Sequence, residues 1–89
     1  MTPLRVAIVE DNPQLRAEFT RLVDDAGDMK AVGTYGTAEE ALEAVPGAAA
    51  DVVLMDINLP GMTGIECVRR LRAASPQPHV VMLTAFDDS

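Results

Sequence analysis

The sequence predicts an α/β protein built on one parallel sheet with helices on both faces. Three observations predict it. Apolar strand-like runs alternate with stretches of helical periodicity along the 89 residues, an order that right-handed crossovers convert into a parallel sheet. Asp51 to Met55 reads Val52, Val53, Leu54, Met55 after its first residue, the unbroken pattern of a strand covered on both faces rather than the alternation of a half-solvated one. Two such runs end in acids: Val6, Ala7, Ile8 and Val9 lead into Glu10 and Asp11, and Met55 leads into Asp56.

Each element has its own signal. After the first strand, Leu15, Phe19, Leu22, Val23 and Ala26 repeat on one helical face, with Asn12 as N-cap, Pro13 at the first helical position and Gly27 as the stop. Met29 to Tyr35 is the second strand. Thr37-Ala38-Glu39-Glu40 is a capping box that starts a short helix burying Ala41, Leu42 and Val45, expected to end at Pro46-Gly47. Ala48-Ala49-Ala50 reads as a plain connection to the third strand, Asp51 to Met55. The loop Asn58-Leu59-Pro60-Gly61 cannot continue that strand. In the third helix, Ile65, Val68 and Leu71 are expected to face the sheet, with Cys67 semi-buried and Arg69, Arg70 and Arg72 on a solvated side, before Ser75-Pro76-Gln77-Pro78 stops it. His79 to Leu83 is the fourth strand, ending at Thr84.

Composition bounds the function. A hydrophobic fraction of 48% with 24% charged residues is that of a globular chain, expected to form one small domain over 1–89. Seven basic against fourteen acidic residues give a formal charge of −7, which disfavours direct binding to nucleic acid or an anionic membrane. One Tyr, two Phe and no Trp supply no base-stacking platform. No apolar stretch approaches the roughly 18 residues of a membrane span, and Glu10 and Asp11 come too early for a signal peptide, so a cytoplasmic location is expected. The single cysteine excludes an internal disulfide.

In parallel sheets of this kind, sites lie beyond the carboxyl ends of the strands. Glu10, Asp11, Asp56 and Thr84 all fall there. Acids at strand ends are common solvated features, so Asp56 alone carries little; three converging carboxylates need a hard cation or protonation. Magnesium takes oxygen ligands and keeps several waters, so Asp11, Asp56 and the backbone carbonyl of Asn58 would suffice as the protein's share. An oxygen of Asp56 would then attack a phosphoryl group in line, with the Thr84 hydroxyl donating to that group.

Val-Glu-Asp-Asn at residues 9–12, Met-Asp-Ile-Asn-Leu-Pro-Gly-Met-Thr-Gly at 55–64 and Leu-Thr-Ala at 83–85 together resemble a two-component response regulator receiver domain. The resemblance runs the length of the chain and covers the first three quarters or so of such a domain. It implies a flavodoxin-like fold, magnesium as cofactor, and phosphotransfer to Asp56 from a sensor histidine kinase that controls an output domain, commonly a transcription regulator. It further implies Asp11 as direct metal ligand, Glu10 as ligand through water, Thr84 as switch hydroxyl, and Asn58 and Phe86 as residues tuning dephosphorylation.

One departure is notable. Receivers carry a phosphate-pairing Lys and a switch aromatic on a fifth strand, and this sequence has neither. Lys30, its lone lysine, belongs to the second strand at the opposite edge. Loss of that cation would cost on the order of 2.7 to 4 kcal/mol of transition-state stabilisation if it behaves like an oxyanion donor. The expected architecture is therefore an incomplete receiver of four strands and three helices, whose exposed fourth strand invites pairing with a second copy. Two other readings compete: a phosphorylation-incompetent interaction module, and a magnesium-dependent phosphatase, against which Asn58 stands where that chemistry needs a second acid.

Overall fold

The computed structural model describes residues 2–57, 59, 61–73 and 78–83. Its strands are β1 (Leu4–Val9), β2 (Met29–Tyr35), β3 (Val52–Asp56) and β4 (His79–Leu83), and its helices are α1 (Pro13–Asp25), α2 (Ala38–Ala48) and α3 (Gly64–Arg72). The four expected strands and three expected helices are all there. Every strand pair is parallel, in the order β2-β1-β3-β4. The chain moves from β1 outward to β2 and then returns past β1 to β3, so the reversal of direction falls between β1 and β3.

Both faces of the sheet are covered over the later part of β1, which is why Val6, Ala7, Ile8 and Val9 are apolar without a break. Val6 and Ile8 pack with Val23 and Phe19 of α1, whereas Ala7 and Val9 join Ala41, Val45, Val53, Met55, Cys67 and Leu71 beneath α2 and α3. Successive strand residues point to opposite faces, and each fully buried Val or Ile contributes about 1.5–3 kcal/mol. Cores on both faces thus hold β1 and β3 in register, Val9 opposite Met55.

Local signals set the helix starts as read. The Asn12 side chain accepts from the amides of Gln14 (2.9 Å) and Leu15 (3.2 Å), and Gly27 leaves α1 at φ 87°. The helix faces are rotated from expectation. In α1, Leu22 is 67% exposed and Ala26 is exposed, while Leu15, Arg16, Phe19 and Thr20 are half-buried beside buried Val23. The inward stripe is turned by roughly 50° toward Arg16 and Thr20, because α1 lies over β1 and β2. In α3, Cys67 and Leu71 are buried and Val68 half-buried, but Ile65 is 73% exposed; two residues from Cys67, it lies about 200° around the helix. Cys67 is therefore a full core residue, not a semi-buried one. The arginines Arg69, Arg70 and Arg72 are exposed as expected.

The end of α2 also differs. The helix runs through Pro46 to Ala48, since a proline in the last turn forfeits only one late backbone bond. Ala49 closes it in the left-handed region, φ 53° and ψ 46°, which costs an L-residue about 1–2 kcal/mol. Arg5 compensates: its guanidinium donates to the carbonyls of Ala48 (2.9 and 3.3 Å) and Ala49 (3.1 Å). The presumed connection is thus a helix terminus clipped to β1. Lys30 is exposed on edge strand β2, far from β4. Asn58, Thr84 and Phe86 lie outside the described residues.

Candidate metal centre at the strand ends

Because Val9 pairs with Met55, the residue that follows each, Glu10 just beyond β1 and Asp56 at the end of β3, lies at the carboxyl end of the sheet. Glu10 is 2% and Asp56 4% exposed, and Asp11, one step further into the loop, is exposed. One carboxylate oxygen from each of Glu10, Asp11 and Asp56 lies within 4.8 Å of the others. The expected convergence of these three acids is found. The proposed parts of Asn58 and Thr84 fall on residues outside those described.

Glu10 is held on several sides. Its amide donates to the carbonyl of Tyr35 (3.0 Å), its carbonyl accepts from Nη1 of Arg16 (2.9 Å), and its Oε2 accepts from the amide of Asn12 (3.1 Å). Its Oε1 is buried with no hydrogen-bond partner among the described residues. Burial pushes the Glu10 carboxyl up from 4.5 to about 7; the Asn12 amide opposes this, and Asp11 and Asp56 add to it. An orphaned buried oxygen among three carboxylates fits a hard cation, which would supply the missing partner and the missing positive charge. Oxygen atoms of three carboxylates gathered within 4.8 Å of one another are a donor set suited to a hard divalent cation such as magnesium.

Two contributors escaped the sequence reading. Asn12 is both the cap of α1 and, through its amide, a donor to Glu10; Arg16 reaches back six residues to the Glu10 carbonyl. The available signal was Arg16 itself, a cation on the inward side of α1 just after an acidic strand end.

A doubly wound parallel sheet with an acidic trio at its switch point defines an α/β module that can gather a divalent cation beside a buried carboxylate. Residues 6–89 match the response regulator receiver domain, and the chain belongs to that family. It is 34% identical over 85 residues to the response regulator GacA of Pseudomonas viridiflava, covering 96% of this chain and 40% of that protein. Against the uncharacterized transcriptional regulatory protein YxjL of Bacillus subtilis it is 32% identical over 84 residues, covering 94% and 38% respectively. The chain thus spans about 40% of the length of such curated relatives. Among solved structures, the signal receiver domain of the response regulator NarL from Mycobacterium tuberculosis superposes with a TM-score of 0.89 at 27% identity, over 99% of this chain and 71% of that one. The flavodoxin-like receiver fold is thereby established. Receiver domains generally bind magnesium and accept phosphoryl groups rather than act as enzymes. No helix among the described residues is long and apolar enough to cross a membrane.

Proposed function

We propose that this chain is the phosphoacceptor module of a two-component response regulator in the cytoplasm, taking a phosphoryl group on Asp56 from a sensor histidine kinase and signalling to an output domain that regulates transcription. The observation that carries this reading is the convergence of Glu10, Asp11 and Asp56 at the switch point. Asp11 and Asp56, with the Asn58 carbonyl, would hold magnesium directly, and Glu10 would hold it through water. The chemistry that magnesium would supply there is neutralisation of charge on the phosphoryl oxygens. An Asp56 oxygen forms the new O–P bond as the P–N bond to the kinase histidine breaks, and the Thr84 hydroxyl donates to the transferred group. Burial of Asp56 shields the resulting acyl phosphate from water. The YxjL relative, by its name a transcriptional regulator, supports the output assigned.

The test is intact-mass spectrometry after incubation with acetyl phosphate and magnesium, with Asp56→Asn as control. A hydroxylamine-sensitive adduct on the wild-type chain and none on the variant is expected. An equal adduct on both would remove Asp56 from its role.

A second reading, self-association without phosphorylation, has one observation in its favour: β4 bonds only to β3 among the described strands, and Val81 on it is 46% exposed. A second copy adding along β4 would bury that edge. Sedimentation at increasing concentration, with and without magnesium and acetyl phosphate, separates the two; a monomer throughout rules out the pairing.

A further inference from the structure

The geometry points to Arg16 as a positioning residue for the acidic trio: seated over Gly36, its guanidinium holds the Glu10 carbonyl and so sets the direction in which the Glu10 carboxylate meets a cation. The inference rests on reading Glu10, Asp11 and Asp56 as a metal site.

Glu10 is the first residue beyond β1, where strand pairing ceases to dictate the backbone. Its amide still follows the sheet, bonding to Tyr35, but its carbonyl is claimed by Arg16 Nη1 at 2.9 Å. A bond with a charged donor is shorter and stronger than a neutral one. With the carbonyl, the amide and Oε2 each engaged, Glu10 keeps one oxygen, Oε1, without a partner among the described residues.

The seat for the guanidinium is specific. An ideal Cβ on Gly36 would lie 3.1 Å from Arg16 Nη1, so the absence of a side chain there leaves the space that Arg16 occupies. Gly36 does not adopt a positive φ, so backbone conformation gives no separate reason for glycine at this position. The rotation of α1 toward Arg16 brings the guanidinium to this seat. Arg16 thereby ties α1, the end of β1 and the loop after β2 to the orientation of one carboxylate.

A different role for Arg16 predicts a different result. A cation acting only through its charge would repel a divalent ion, so its removal would tighten binding. A purely structural residue would alter unfolding but leave the affinity of folded protein unchanged. Positioning predicts weaker binding, by about 10- to 100-fold as for other groups that orient metal ligands.

The experiment measures Mn2+ binding to the full chain by electron paramagnetic resonance, with Mg2+ competition, at one fixed alkaline pH. Arg16→Met is expected to weaken binding within that range, and Arg16→Lys to recover part of the loss. Gly36→Ala retains the charge but crowds the guanidinium, and is expected to weaken binding in the same direction by less. Asp11→Asn tests the underlying reading. Wild-type affinity in Asp11→Asn removes the metal site itself. Weak binding in Asp11→Asn together with wild-type or tighter binding in folded Arg16→Met overturns the role of Arg16 alone. Circular dichroism checks each fold; if Arg16→Met does not fold, Arg16→Gln, measured in the same way, decides.

Discussion

Raising the pH of the metal-free protein through neutrality should destabilise it, and Glu10 supplies the reason. The folded chain holds this carboxyl protonated up to about 7 against an ordinary value of 4.5, so between those values the folded state binds a proton that the unfolded state has released. Stability is then fully present below 4.5 and is lost as the pH rises toward and through the folded value. A difference of about 2.5 units at 1.36 kcal/mol each gives roughly 3 kcal/mol. That is a large share of the 5 to 15 kcal/mol typical of a domain. Magnesium should reverse the trend, because a bound cation stabilises the ionised trio and binding only the folded state adds stability. Urea unfolding followed by circular dichroism, at steps from about pH 5 to about pH 8 with and without magnesium, reads the slope directly. Glu10→Gln, neutral at every pH, should flatten most of it and be more stable than wild type at the alkaline end without metal. A metal-free wild-type chain whose stability stays level or rises across this window would refute the placement of Glu10 in a desolvated, acid-lined site.

Two further expectations concern the scaffold. A Cβ at Gly33 would run into the hydroxyl and ring of Tyr35, which lies across it on β2, so Gly33→Ala should cost about 1–3 kcal/mol by overpacking, read as a lower urea midpoint; no loss would mean that the ring moves aside freely. Arg5→Met removes the donor from the Ala48 and Ala49 carbonyls and should cost about 1–2 kcal/mol, with faster amide exchange confined to the last turn of α2; unchanged exchange there would show that the left-handed cap stands without Arg5.

Much of the site was legible because its parts are local. An apolar run ending in an acid places a carboxylate at a strand end, and a capping residue followed by proline starts a helix wherever the chain later goes. Hence Asn12, Thr37, Glu10, Asp11 and Asp56 were readable in place, as was the order of strands and helices. Helix facing was less legible: Leu22 and Ile65 satisfied the apolar period yet point outward. Periodicity finds an apolar stripe, but it does not say which flank of that stripe the sheet covers. Pro46 misled in a related way, since a proline ends a helix only where its missing amide and its ring cannot be accommodated.

Sequence alone determined the fold class and the acidic strand ends, because each follows from residue type at short spacing. Tertiary structure decided that β1 and β3 are neighbours in a register that brings Glu10 to Asp56, that Arg16 reaches the Glu10 carbonyl over Gly36, and that Arg5 closes α2 from β1. Each of these contacts joins segments by crossover and packing, so its distance depends on how whole elements settle against one another.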